Sequence, residues 1–147
     1  MREIEFRGKR IDNGEWVYGS LVQNEYWTEI WVYHPQEGQE TFHNVDKSTV
    51  GQYTGVFDCR EKKVYEDDIL ECTEFEGDEK YTCVVSKDNT SSIPVDFDGR
   101  DTMMALKDVG YRVGLKFSVI GNIHDNPEFG NGVTSKKEKN YGRKYKR

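Results

Sequence analysis

The fold of this chain is decided by residues 15–33, which read EWVYGSLVQNEYWTEIWVY. Much of this stretch alternates apolar or aromatic side chains with polar or small ones, and a period of two is typical of half-buried strands. The dipeptide at 24–25 interrupts the alternation and predicts a reversal of the chain. A two-residue loop at that point would place Trp31 opposite Tyr18 across the two strands. The stretch therefore predicts two neighbouring strands of an antiparallel meander.

The same alternation begins upstream, where Ile4 and Phe6 share one face of a first strand. Asn13-Gly14 then predicts a tight turn, because this pair tolerates the positive φ angles that a two-residue hairpin loop requires. That loop would place Ile11 opposite Trp16. The first three strands are therefore predicted to be consecutive and antiparallel.

A later hairpin is predicted over residues 69–86, whose two alternating strands flank Gly77-Asp78. A two-residue loop there would set Cys72 opposite Cys83 on one face of the hairpin. Two thiols in that position pack as small buried hydrophobes or, alternatively, form a disulfide, which a reducing cytoplasm disfavours. The three cysteines, which include Cys59, contain no CxxC pair, so the sequence gives little support to a zinc site or a disulfide framework.

The rest of the chain adds shorter elements to this pattern. His34-Pro35 ends the meander, because proline lacks a backbone donor and restricts the residue before it. The segment from Asp101 to Val109, stopped by Gly110, predicts the only helix, and it is short. Further strands are predicted over residues 40–45, 49–55, 111–113 and 117–123. The predicted fold class is mainly β, built from antiparallel hairpins, with at most one short helix.

The composition is polar but typical of a folded chain. Charged residues make up 33% of the 147 residues and hydrophobic residues 35%, while 13% are aromatic, a share that disordered chains rarely reach. No apolar run approaches the ~18 residues of a membrane helix. The charged N-terminus is unlike a signal peptide, so we expect a cytoplasmic protein. The length allows one domain over 1–129 or two small lobes, about 1–55 and 56–129, followed by a flexible basic tail over 130–147.

The net charge of −6 conceals an asymmetry between the body and this tail. Residues 136–147 contain seven Lys or Arg and one Glu, a net charge of +6, which leaves −12 for residues 1–135. Cations neutralise phosphates and tyrosine rings stack on unpaired bases, so one interpretation is a tail that binds single-stranded nucleic acid. The residues that would do so are Lys136, Lys137, Lys139, Tyr141, Arg143, Lys144, Tyr145, Lys146 and Arg147. The other interpretation is a solvated end that aids solubility or touches an acidic surface.

Three blocks of the sequence resemble the YopX family of phage and prophage proteins. The blocks are 4–7 (IEFR) with 16–19 (WVYG), 49–55 (TVGQYTG) with 64–69 (VYEDDI), and 119–123 (VIGNI) with 126–128 (NPE). Their order and spacing cover nearly all of residues 4–129. The resemblance implies barrel-like sheets, SH3-like or of the YopX type, in a phage or prophage protein of a bacterial host. It implies no activity.

Two departures from the family pattern concern the backbone. Asp67 stands where the family usually has glycine, and residues 58–63 (DCREKK) replace a turn that usually contains glycine. If the family's glycine has a positive φ, Asp67 is among the few residues able to take its place. We therefore expect the fold to survive both changes.

The sequence offers few candidates for chemistry. Glu66-Asp67-Asp68 is the densest carboxylate cluster ahead of a strand, and hard cations such as Mg²⁺ take oxygen ligands. Adjacent residues of an extended chain point to opposite sides, however, so a turn leading into the strand is the competing interpretation. Thiol catalysis would need an electropositive setting, which only Cys59 beside Arg60 offers, and no histidine is near in sequence. The histidines have neither HxH nor HExxH spacing and are interpreted as exposed or hydrogen-bonded loop residues: His34, His43 and His124.

The sequence thus predicts a non-enzymatic protein without a cofactor or metal. The leading hypothesis is a phage or prophage accessory protein that binds a protein partner through its sheet surface and forms, in one version, a homo-oligomer. The alternative is a nucleic-acid-binding module that uses the basic tail. A third hypothesis is a metal-dependent enzyme at Glu66, Asp67 and Asp68.

Overall fold

Strands dominate the regular structure of the residues that the structure describes, and a 3-10 turn covers Lys47–Thr49. The computed structural model describes residues 3–74, 80–85, 87, 94–96, 103–105 and 115–128. The strands within these ranges are β1 (Phe6–Lys9), β2 (Trp16–Gln23), β3 (Thr28–His34), β4 (Gln39–Asn44), β5 (Gly51–Phe57), β6 (Lys63–Tyr65), β7 (Asp68–Glu74), β8 (Lys80–Val84), β9 (Pro94–Asp96), β10 (Met103–Ala105) and β11 (Leu115–Asn122). The predicted mainly β fold is confirmed.

The strands form three antiparallel sheets. Their orders are β4-β3-β2-β1-β5-β6, β11-β7-β8 and β10-β9. The six-stranded sheet ends at β4 and β6 and is not closed into a barrel, so the antiparallel part of the prediction is confirmed and the barrel-like part is not. Within the ranges given above, no helix has the length and apolar character that crossing a membrane requires.

The chain divides into two compact units, Met1–Gly55 and Val56–Arg147. In the first unit the core lies on one face of the meander. Ile30 on β3 is fully buried and Val45, just after β4, is 2% exposed. Thr28 is also buried, two residues before Ile30, which follows from the alternation of side chains along β3.

In the second unit the core surrounds β7, the middle strand of its sheet. Ile69 and Leu70 are adjacent in sequence and 1% and 0% exposed, so both faces of this strand are covered. Phe117 lies opposite Cys72 and Val119 opposite Leu70 on the neighbouring strand β11. These pairs place the apolar residues of the strands on common faces.

The first predicted hairpin loop is wrong in length. Trp16 lies opposite Lys9, not Ile11. Only Gly14 of the predicted turn pair has a positive φ, 74°, whereas the predicted two-residue turn requires it at both positions. The chain instead makes a four-residue loop over 11–14, closed by the Gly14 N–H donating to the Arg10 carbonyl at 2.9 Å.

The second loop is also longer than predicted. Trp31 lies opposite Ser20 rather than Tyr18, and residues 24–27 form the loop. The cause is the Asn24 side chain, whose Oδ1 accepts the backbone N–H groups of Tyr26 and Trp27 at 2.8 and 3.1 Å. Asparagine stabilises turns in this way, so a wider loop replaces the tight one.

The later hairpin is confirmed as β7 and β8, but its predicted register is wrong. Cys72 lies opposite Tyr81, and Leu70 lies opposite Cys83. The predicted loop at 77–78 is outside the described residues. Cys72 is 1% exposed, which fits the interpretation as a small buried hydrophobe.

The predicted helix from Asp101 to Val109 is wrong at its centre. Met103–Ala105 form β10, in which Met104 lies opposite Val95 of β9. A short helix is marginal without tertiary support, whereas a partner strand satisfies the same backbone groups. The other residues of that segment, the strand predicted over 111–113 and the tail 130–147 lie outside the described residues. The strands predicted over 40–45, 49–55 and 117–123 correspond to β4, β5 and β11.

A tight turn joins β5 and β6 and contains a residue with unfavourable backbone geometry. The Asp58 N–H donates to the Lys62 carbonyl at 2.8 Å, and Glu61 has a φ of 64°. A left-handed conformation costs an L-residue about 1–2 kcal/mol, and glycine adopts it freely. We therefore expect Glu61→Gly to raise the free energy of unfolding by about 0.5–1 kcal/mol, after the larger entropy loss of glycine on folding is subtracted.

The Glu61→Gly prediction is tested by urea denaturation beside Glu61→Ala. Alanine removes the same side chain but keeps the Cβ, so it should give no gain. Equal stability of the two variants would show that the backbone conformation is not the cause.

Candidate functional site

One face of the meander in the first unit carries exposed aromatic side chains. Trp31 lies opposite Phe42 on β4 and opposite Ser20 on β2, and paired residues share a face. Alternation along β2 and β3 puts Tyr18 and Tyr33 on that face as well. Tyr18, Phe42 and Tyr33 are 44%, 56% and 60% exposed. The aromatic face is defined below as Tyr18, Trp31, Tyr33 and Phe42.

Local contacts hold the rings of this region in place. The ring centroids of Trp31 and Phe42 are 4.5 Å apart, with their planes tilted by 45°. The indole N–H of Trp31 donates to the Glu29 carboxylate at 3.0 Å. On the adjoining part of the sheet, the Arg7 guanidinium lies 4.6 Å from the centroid of the Trp16 ring. Fixed rings of this kind bury large areas on binding with little loss of side-chain entropy.

The first unit is acidic, which limits the partners that suit it. Residues 1–55 contain five Lys or Arg and nine Asp or Glu, a net charge of −4. Such a charge repels the phosphates of nucleic acid and favours neutral or cationic protein surfaces. Cations also interact favourably with exposed aromatic rings.

In the second unit the chain turns sharply at Asp67, between β6 and β7. The φ of Asp67 is 72°, so this residue does adopt the conformation in which aspartate is one of the few substitutes for glycine. Its N–H donates to the Val85 carbonyl at 3.0 Å, and its carbonyl accepts the Ile123 N–H at 3.1 Å. The turn is therefore joined by its backbone to the ends of β8 and β11.

The Asp67 side chain strengthens the same junction. Its Oδ2 lies 2.9 Å from His124 Nε2 and 3.0 Å from Lys87 Nζ. Donation from a neutral His124 requires the proton on Nε2. The side chains of Asp67 and His124 are 11% and 16% exposed, and that of Lys87 is 42% exposed. These contacts connect three segments of the chain. Nucleophilic catalysis by an Asp-His pair would also require a nucleophile within reach of His124.

The carboxylates of Glu66, Asp67 and Asp68 do not act as one ligand set. Asp68, 1% exposed, accepts the Tyr65 N–H at 2.7 Å. Asp67 is engaged with His124, as described. Across the ranges that the structure describes, no three His, Cys, Asp or Glu side chains are grouped as a metal site requires. Glu66 and Asp67 form the turn that leads into β7, in agreement with the competing interpretation.

The Asp58 carboxylate accepts three backbone hydrogen bonds in the second unit. Its Oδ1 accepts the N–H groups of Arg60 and Lys62, each at 2.8 Å, and its Oδ2 accepts that of Val119 on β11 at 2.9 Å. Burial alone would raise the pKa of Asp58. The three N–H groups and the nearby Arg60 charge outweigh burial, so the pKa of Asp58 is lowered from its ordinary value.

The residues considered for thiol catalysis and for metal binding by histidine lie among hydrogen bonds that stabilise the fold. Cys59 is exposed, but the neighbouring Arg60 guanidinium donates to the Val119 carbonyl at 2.9 Å. His34 and His43 both lie 2.9 Å from the Thr41 hydroxyl, so they are hydrogen-bonded as expected. Their placement in loops is wrong, since His34 belongs to β3 and His43 to β4. His124 lies in a turn after β11.

Sequence reasoning missed two long-range partnerships of this unit. Asp67 and His124 are 57 positions apart, and Asp58 and Val119 are 61 apart. No spacing rule connects such residues, and the only local signal was an aspartate at a position typical of glycine. The predicted nucleic-acid-binding residues Lys136 to Arg147 lie outside the described residues, so their role stays a prediction.

Comparisons with known proteins identify the family of the chain. The crystal structure of protein EF1440 from Enterococcus faecalis is similar, with 17% identity, a TM-score of 0.53, and coverage of 88% of this chain and 99% of that one. At this identity the likeness concerns the fold alone. None of the curated proteins matches the chain. The family model described as YopX protein matches residues 5–129, which is most of the chain. The chain therefore belongs to the YopX protein family.

Proposed function

We propose that this protein is a non-catalytic accessory protein of a phage or prophage, which acts in the cytoplasm of the bacterial host by binding another protein. The observation that carries the proposal is the aromatic face. The side chains of Tyr33 and Phe42 are more than half exposed, although other apolar side chains of the same meander, such as Ile30, are buried. Clustered exposed rings of this kind are typical of protein-binding surfaces.

The charge of the first unit favours a protein partner over nucleic acid at this surface. The net charge of −4 over residues 1–55 opposes binding of a polyanion to the rings. The settings of Asp58, Asp67 and Asp68 support the non-catalytic part of the proposal, because each carboxylate is bonded to backbone or side-chain groups that stabilise the fold.

The proposal is tested by capturing partners from lysogenic or infected cells with tagged protein. Replacing Tyr33 and Phe42 together by serine should lower recovery of a defined partner about tenfold, because two ring contacts are lost. The matched control is Tyr26→Ser, since Tyr26 is 82% exposed but lies in the loop 24–27. Unchanged recovery with the double variant, or reproducible turnover of a substrate by the pure protein, would contradict the proposal.

A further inference from the structure

Among the residues that the structure describes, no strand pairs with the outer edge of β4 in the first unit. β4 is the end strand of its sheet. The Val45 N–H donates to the Thr28 carbonyl at 3.0 Å, so these two residues form a hydrogen-bonded pair. Hydrogen-bonded and non-hydrogen-bonded pairs alternate along two antiparallel strands, here β3 and β4. It follows that the N–H and C=O groups of Glu40 and Phe42 point away from β3. At Asn44 the edge is partly occupied, since its carbonyl accepts the Ile11 N–H at 3.0 Å.

Within the part of the chain that the structure describes, this edge is only partly protected against further pairing, by the charge of Glu40 and by the Ile11 contact at Asn44. Proteins shield end strands with lysine, proline, bulges or a covering segment. Gln39–Asn44 reads QETFHN, without lysine or proline, and its pairing with β3 is continuous. Glu40 and Phe42 are exposed on the outer strand. The edge is therefore suited to accept one more strand.

The chain itself contains a segment with complementary chemistry. Residues 136–147 read KKEKNYGRKYKR and carry a net charge of +6, against −12 for residues 1–135. Tyr141 and Arg143 are two positions apart, as are Phe42 and Glu40. Antiparallel pairing would set Arg143 opposite Glu40 and Tyr141 opposite Phe42. Opposite charges and paired aromatic rings are both favourable across neighbouring strands.

We propose that residues 136–147 of one copy add to β4 of a second copy as an antiparallel strand, in this register. Each copy offers one edge and one tail, so the contact is head-to-tail and gives a closed ring or an open chain of subunits. The interaction concerns the sheet edge and a second copy of this chain. Phe42 belongs both to this edge and to the aromatic face, so the tail and the proposed partner would compete for it. Self-association is therefore measured on the pure chain, without that partner, so that the failure of one proposal is distinguishable from the failure of the other.

The proposal is tested by sedimentation equilibrium of the purified full chain over a series of concentrations. The wild type should associate, and rising salt should weaken the association because exposed charges are screened. Glu40→Arg and Arg143→Glu should each weaken it about tenfold, since each replaces an attraction by a repulsion. The double variant E40R/R143E should restore association close to that of the wild type. The matched control is Glu37→Arg in the turn between β3 and β4, which makes the same charge change away from the edge.

A backbone variant separates strand addition from simple charge attraction. Glu40→Pro removes the outward N–H, which takes no part in pairing with β3, and proline is tolerated on end strands at such positions. It should abolish association, whereas Glu40→Ala, which keeps the N–H, should weaken it less. A wild type that stays monomeric at every concentration would overturn the proposal. So would association that survives deletion of residues 136–147, or a charge swap that restores nothing.

Discussion

Replacing Asp58 by alanine should lower the free energy of unfolding by about 3–5 kcal/mol, one of the two largest effects expected for this chain. Asp58 is 5% exposed, and its carboxylate accepts three backbone N–H groups, two within its own turn and one from Val119 on β11. Alanine leaves these donors without their acceptor. The loss therefore affects both the turn and the attachment of β11, and urea denaturation followed by circular dichroism measures it.

Two variants show whether the number of bonds is the cause. Asp58→Asn keeps the shape and one acceptor oxygen but loses the charge, so its stability should lie between those of the wild type and Asp58→Ala. Asp46→Ala removes an exposed aspartate that accepts the Ser48 N–H at 3.0 Å, and should cost about 1 kcal/mol. If Asp58→Ala costs no more than Asp46→Ala, the network around Asp58 contributes little.

The same carboxylate should make stability depend on pH. The pKa of Asp58 is lowered from its ordinary value of 3.8 in the folded state. The stabilisation that the ionised Asp58 gives to the folded state is therefore present above the unfolded-state pKa of this residue, and it is lost as the pH falls through the folded-state pKa. The difference in unfolding free energy between the wild type and Asp58→Asn should shrink below about pH 4. A constant difference down to pH 2 would contradict the assignment.

The faces of the strands were predictable from the sequence, but their registers were not. In each of the three hairpins the structure differs from the predicted pairing by two residues, as when Trp31 lies opposite Ser20 instead of Tyr18. A shift of two preserves the side-chain alternation, so the same residues stay on the same face. Alternation therefore fixes the face, whereas the loop fixes the pairing. Loop length here depends on side-chain bonds such as those of Asn24.

The candidate sites were less predictable because their parts are distant in sequence. The aromatic face depends on which of the many rings remain exposed, and composition does not distinguish Tyr33, 60% exposed, from Tyr53, 3% exposed. The turn at Asp67 was the exception. A residue type that tolerates positive φ is a local signal, and the observed φ of 72° agrees with it.

Replacing Gly19 by alanine should lower the free energy of unfolding by about 3 kcal/mol. Gly19 lies on β2, opposite Phe6 of β1. A Cβ at this position would overlap the carbonyl oxygen of Trp31 on β3. A backbone atom in a paired strand cannot rotate away as a side chain does, so β2 and β3 would have to separate. The separation would disturb the neighbouring Ser20–Trp31 pair and the burial of Ile30.

The matched control for Gly19→Ala is Ser20→Ala, one residue further along the same strand. Ser20 is exposed on the side of the sheet that carries the aromatic face, so its replacement should change stability by less than about 0.5 kcal/mol. Urea denaturation followed by tryptophan fluorescence suits both variants, because Trp31 lies at the affected strand. Equal midpoints for Gly19→Ala and Ser20→Ala would mean that β2 and β3 tolerate a side chain between them. The close approach of the two strands would then not be what requires glycine at this position.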